Sequence, residues 1–150
     1  MTTLLSRETL PGLVGQTLGP GEWLDVTQER INEFARASGD HQWIHVDVER
    51  ARTGPFGTTI AHGLLTLSMI AALNQGMFKF DGFKMGLNYG YEKVRFPSPV
   101  PVGSRLRVAA KILSFEPIGA MFQTIIEYSV EREGAEKPAC IAQMVFRHAV

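Results

Sequence analysis

An aspartate and a histidine five residues apart, Asp40 and His45, stand in the stretch Ser38-Gly39-Asp40-His41-Gln42-Trp43-Ile44-His45-Val46-Asp47. This stretch follows a short amphipathic segment and precedes a Gly/Pro-rich one. It therefore reads as a connection, the kind of place where reactive groups are presented. A carboxylate can hold or share a proton, and an imidazole titrates near neutrality. Two such groups can grip one water molecule from two sides, as an addition or elimination reaction requires. The competing account is structural only: Gly39 stops a helix, Asp40 is a turn residue and His45 lies on the surface.

The elements around the pair follow from pattern. The first twenty residues, with Pro11, Gly12, Gly15, Gly19 and Pro20, read as an irregular lead-in, followed by a short strand over 22–26. Thr27 is a good N-cap and Glu29 suits a first helical turn. Ile31, Phe34 and Ala35 mark one face of a helix that ends near Ser38. Residues 47–52 allow a helical turn, and 53–59, with Gly54, Pro55 and Gly57, must be loop. A run of helix formers covers about 63–76, with Gly76 able to close it. Its apolar residues fall on all sides, so this helix is expected to be buried nearly all round.

The second half is β. Residues alternate in character along 105–112, 122–131 and 140–146, and the segments are separated by turn residues at 116–119 and 133–136, which gives an antiparallel meander. Residues 85–95 form a further strand, in which Gly86 and Gly90 permit a bulge or close approach. One buried helix and four strands leave few solutions. The fold class is α+β, a hot-dog arrangement in which an antiparallel sheet curls around the helix. Such a sheet keeps exposed edges, so dimerisation through an edge strand or across the helix is expected.

Composition narrows the function. A chain of 150 residues with zero formal net charge and no long charged run is expected to be a single domain over 1–150, with neither nucleic acid nor membrane as its main partner. The single cysteine, Cys140, excludes an intrachain disulfide and a cysteine-based zinc motif, and it falls in an apolar run as a small core residue. The start of the chain lacks the pattern of a signal peptide, and the apolar helix is too short and polar to span a bilayer, so the expected location is cytoplasmic.

Gly63 opens the apolar helix. The first N–H groups of a helix have no internal partner, and a glycine there lets a ligand atom approach the main chain. An N–H in that position can stabilise the enolate of a thioester. A tight loop-to-helix junction is the simpler account, and His62 beside it reads as a packing or orienting residue.

Gly39-Asp40, His45 and His62-Gly63-Leu64, at these spacings, resemble the MaoC-like dehydratases, the family of (R)-specific enoyl-CoA hydratases. Asn88-Tyr89-Gly90 and the run from Val94 to Gly103 are also similar to that family, so the resemblance covers nearly the whole chain. The best-known hydratases carry Asn-Pro where this chain has Gln42-Trp43, and the Asp-His-Gln-Trp-Ile-His form looks like the nodulation protein N branch. The resemblance implies reversible hydration of trans-2-enoyl-CoA to (3R)-3-hydroxyacyl-CoA, with no metal and no cofactor. Coenzyme A enters as part of the substrate. It implies Asp40 and His45 as the catalytic pair, without saying which is the base, and Gly63 as the oxyanion donor. Asn88 and Trp43 are further candidates for substrate contact, and a homodimer is expected with each acyl site near the interface.

Phe56, Met69, Leu73 and Met85 are candidate acyl-tunnel residues, each more simply read as core. Arg95, Arg105 and Arg107 are candidates for coenzyme A phosphates, although Arg105 and Arg107 fit the solvated side of a strand. A hot-dog thioesterase and a non-catalytic acyl-CoA-binding subunit are the alternatives.

Overall fold

The computed structural model describes residues 1–150. Four long antiparallel strands carry the architecture: β5 (Met85–Arg95), β6 (Arg105–Ile118), β7 (Met121–Arg132) and β8 (Cys140–Ala149). Their order is β6-β7-β8-β5, and two short strands, β2 (Thr17–Leu18) and β3 (Leu24–Asp25), add to the free side of β6. The meander runs from Leu106 opposite Arg132 to Val130 opposite Cys140, with one register shift between Ile112 and Ser114 of β6. Strand β5 returns to β8 from Met85 opposite Ala149 to Arg95 opposite Ile141, with register shifts at 88/90 and 91/93. The first of these falls at Gly90, where a bulge was expected.

Helix α5 (Gly63–Leu73) lies in the curl of this sheet. Leu65, Met69, Ile70 and Leu73 are at most 4 % exposed and pack on Leu106, Val108, Ile112, Ile126, Val130 and Ala142. Each such side chain contributes on the order of 1.5–3 kcal/mol by leaving water. This fixes the helix, and hence its N-terminus, against the sheet.

Helix α2 (Gln28–Ser38) is capped as its sequence requires: the Thr27 hydroxyl accepts from the Arg30 N–H, and Gly39 closes the helix with φ of 80°. Ile31 and Ala35 form its buried face, and Ile31 joins the core that holds α5, with Phe34 packed against it. Two short helical turns, α3 (Trp43–Val46) and α4 (Val48–Arg52), follow.

Three expectations need correction. The first twenty residues are not an irregular lead-in. They form β1 (Thr3–Leu5), α1 (Leu10–Leu13) and β2, with Leu5 and Leu10 fully buried, and β1 pairs in parallel with β4 (Phe78–Phe80). The strand expected over 22–26 shrinks to two residues of β3. Helix α5 is not covered all round: Leu64 is 61 % exposed, and Ser68 and Ala71 follow it on the open face. On this face Ser68 and Ala71 share a cavity with Asn88 and Tyr91 of the edge strand β5, while Leu87 and Tyr89 lie on the other side of the sheet, where Tyr89 stacks under Arg147.

Candidate active site

The Asp40/His45 connection is held by backbone bonds at both ends. The αL residue Gly39 turns the chain out of α2, and Asp40 then receives the Gln42 N–H on its carboxylate at 3.3 Å. Helical turn α3 lifts His45 into the interior, where it is only 6 % exposed. Ile60 clamps this turn at two points: its N–H donates to the Ile44 carbonyl at 3.0 Å, and its carbonyl lies 2.7 Å from His45 Nδ1. A carbonyl oxygen only accepts, so Nδ1 carries the hydrogen and Nε2 is left with the lone pair. Burial is the main influence lowering the His45 pKa, and the neighbouring His62 lowers it further. The bond to Ile60 and the Asp40 charge act the other way. The net effect favours a neutral imidazole whose Nε2 lone pair is available.

A carboxylate oxygen of Asp40 and one ring nitrogen from each of His45 and His62 lie within 4.8 Å of one another. The arrangement of the two rings does not suit a metal ion. The two imidazoles stack, with centroids 3.9 Å apart and planes at 23°, so their in-plane lone pairs run nearly parallel instead of converging. One nitrogen of each ring is already bonded to a backbone carbonyl.

Gly63 stands where its sequence neighbours predict, at the first position of α5. His62, the N-cap residue, makes no side-chain cap, in contrast to Thr27 of α2 and Asp47 of α4. The leading N–H groups of α5 are therefore free to serve another acceptor. Gly63 and His45 line one cavity of about 340 Å³, together with Phe56, Thr66, Phe96 and Ser98. A Cβ at Gly63 would sit 3.0–3.2 Å from three atoms of the Phe96 ring, so any larger residue here must displace that ring.

Other candidates are placed elsewhere. Asn88 lines a second cavity of about 500 Å³ between α5 and strands β5, β7 and β8, alongside Leu67, Asn74, Tyr91 and Tyr128. Trp43 lines neither cavity: its ring packs tightly on Gly54 and lies beneath the Arg50 guanidinium, 4.2 Å from the ring centroid. Phe56 does line the cavity with His45. Met69 and Leu73 are core, and Met85 is exposed on β5. Arg105 and Arg107 pair with Glu133 and Glu131 on the outer side of the sheet.

Two contributors carried no sequence signal. Gln28 of α2 donates to the His45 carbonyl at 2.8 Å and accepts from the Thr59 hydroxyl. Phe96 comes against Gly63 from the far end of β5. A polar residue in a first helical turn and a phenylalanine after a strand are too common to be singled out.

The fold is shared with solved structures. An (R)-hydratase from A. caviae involved in PHA biosynthesis superposes with a TM-score of 0.70, covering 89 % of this chain and 94 % of that one at 22 % identity. R-hydratase PhaJ1 from Pseudomonas aeruginosa gives 0.70, over 91 % and 81 %, at 24 % identity. These likenesses establish a hot-dog fold with the sheet wrapped on one central helix. The MaoC like domain matches residues 10–133, so the chain belongs to the MaoC-like dehydratase family and is an enzyme of the hydro-lyase class. Among its relatives are 3-hydroxyacyl-thioester dehydratase Z of Mycobacterium tuberculosis, 48 % identical over 99 % of both chains, and nodulation protein N of Rhizobium leguminosarum bv. viciae, 47 % identical over 94 % of this chain and 89 % of that one.

Proposed function

We propose that this chain is an (R)-specific enoyl-CoA hydratase of fatty acid metabolism, acting in the cytoplasm as a homodimer. It would add water reversibly to trans-2-enoyl-CoA to give (3R)-3-hydroxyacyl-CoA. The observation that carries the reading is the pairing of a buried His45, its Nε2 lone pair fixed by the Nδ1–H bond to Ile60, with the Asp40 carboxylate beside an uncapped helix start. The dehydratase name of the mycobacterial relative, at 48 % identity over the whole chain, supports a thioester substrate.

In this mechanism the Asp40 carboxylate orients a water molecule. His45 Nε2 takes one of its protons as the oxygen bonds to C3. The C2–C3 π electrons move to the thioester oxygen as an enolate, which accepts a hydrogen bond from the Gly63 N–H. His45 then returns the proton to C2, leaving the hydroxyl on C3 and a free base. The acid–base step contributes about 10²–10⁴-fold in rate, and the oxyanion donor about 10²–10³-fold. No redox or metal step enters, since every proton and electron pair is accounted for within substrate, water and these residues.

The open face of α5 at Leu64, Ser68 and Ala71, beside the free edge of strand β5, supports a second copy as the cover. The test is direct. The enzyme is assayed for loss of enoyl thioester absorbance on trans-2-enoyl-CoA substrates from C4 to C16, alongside Asp40→Asn and His45→Gln. Each variant is expected to lose about 10²-fold or more in kcat while remaining folded. Near wild-type turnover in both would remove the chemistry from this loop.

A further inference from the structure

His62 is a titratable side chain beside the site to which the hydration step assigns no proton. Its ring is 2 % exposed, stacks on His45 and meets Phe34 at 4.9 Å with planes tilted by 58°. Nε2 lies 2.9 Å from the Asp40 carbonyl oxygen. That oxygen only accepts, so Nε2 carries the hydrogen and Nδ1 keeps its lone pair. Nδ1 is buried and meets no hydrogen-bonding group of the protein. A buried polar atom without a partner destabilises a fold. A phenyl ring could keep both aromatic contacts and bury no such atom, but it has no donor for the Asp40 carbonyl. Packing therefore does not account for an imidazole at this position, whereas the Nε2–H bond does.

We infer that His62 is a positioning residue that holds the Asp40 main chain, and through it the Asp40 carboxylate, in register with His45 and Gly63. The inference rests on the hydration reading above. Asp40 is exposed, and its other ties are local and long: its N–H to the Ser38 hydroxyl at 3.2 Å and its carboxylate to the Gln42 N–H at 3.3 Å. The His62 bond is the one that spans distant sequence, and it comes from the N-cap of the core helix α5. One residue thus touches the Asp40 carbonyl and the His45 ring face and immediately precedes the Gly63 N–H. Small displacements of reacting groups are costly, on the order of 10²-fold for 1 Å.

Two substitutions separate the donor from the ring. His62→Phe keeps the stacked ring and removes the donor. His62→Gln places an N–H near the Nε2 position and removes the ring. The full chain is assayed on its best trans-2-enoyl-CoA, with Tm measured alongside. His62→Phe is expected to lower kcat by about 10-fold or more, with KM within about 3-fold and Tm equal or higher. His62→Gln is expected to stay within about 3-fold of wild type. In an Asp40→Asn background, His62→Phe should cost less than about 2-fold further, because it acts through Asp40. Wild-type kcat in His62→Phe, an equal loss in a folded His62→Gln, or an undiminished His62→Phe loss in the Asp40→Asn background would each overturn the inference. If His62→Phe proves unstable, His62→Gln decides alone: retained activity supports the donor role and lost activity in a folded protein overturns it. An active Asp40→Asn enzyme would sink the hydration reading itself, whereas an inactive Asp40→Asn with a fully active His62→Phe would sink only the role of His62.

Discussion

Replacing Gly63 by proline removes one N–H from the helix start and leaves nearly everything else in place, provided that Phe96 is dealt with first. The backbone accepts the change: His62 has φ of −59° and ψ of 138°, the extended conformation that a residue before proline requires, and proline is favoured at a first helical position. The obstacle is steric, since any Cβ at 63 falls 3.0–3.2 Å from the Phe96 ring. Crowding of this kind costs about 1–3 kcal/mol in a packed core. Here Phe96 is 42 % exposed and can swing outward, so the low end applies. A loss of about 1 kcal/mol lowers Tm by about 2–4 °C for a chain of this size. The comparison is therefore Phe96→Ala/Gly63→Ala against Phe96→Ala/Gly63→Pro, two proteins with the same relief and different donors. Losing one oxyanion donor costs about 2.7–4 kcal/mol of barrier, or 10²–10³-fold in kcat. Initial rates of enoyl-CoA hydration, with thermal melts as a folding control, should show the proline protein at least about 100-fold slower at comparable Tm. Equal rates within about 3-fold, in two folded proteins, would place the oxyanion hole away from Gly63.

Three further outcomes follow. His45 must be neutral to act as base and its pKa is lowered, chiefly by burial, so kcat/KM should fall on the acid side with a midpoint below the ordinary histidine value of about 6.5; a midpoint above 7 would contradict this. His148 is fully buried among Phe80, Phe83 and Phe146, and burial lowers its pKa. A depressed histidine pKa means that the unfolded chain binds protons first as pH falls. Stability is then complete above about 6.5 and declines progressively below it, and urea midpoints from pH 8 to pH 5 should drop less steeply in His148→Phe. Leu64→Glu puts a charge on the open face of α5 and should give monomers in sedimentation equilibrium with little change in Tm; an unchanged dimer would move the interface elsewhere.

Local signals made much of the architecture legible. The Thr27 cap, the Gly39 stop, the start of α5 at Gly63 and the alternation of β6 to β8 each combine a hydrophobic period with the right terminator, and all four appear in the structure. The failures share a different cause. The parallel pairing of β1 with β4 joins three-residue strands more than seventy positions apart, and no pattern three residues long can announce a partner that distant. The open face of α5 was invisible because an apolar residue such as Leu64 reads the same whether its own chain or another one covers it. At the proposed site, Asp40, His45 and Gly63 stand out by type and spacing. What orients them does not: the Ile60 carbonyl on Nδ1, the Gln28 amide on the His45 carbonyl and the His62 bond to Asp40 are contacts between a side chain and distant backbone, and the backbone has no sequence signature. Trp43 shows the converse, a conspicuous residue in the right segment that packs on Gly54 and Arg50 outside both cavities.

The central claim is water addition to a thioester-conjugated double bond, performed by Asp40 and His45. Its most direct measurement is the product formed from trans-2-enoyl-CoA, resolved on a chiral phase and titrated in parallel for free thiol. The account predicts (3R)-3-hydroxyacyl-CoA at equilibrium with substrate, no released coenzyme A, and loss of that product in Asp40→Asn. Free coenzyme A with no hydroxyacyl product, or the (3S) isomer, would contradict it.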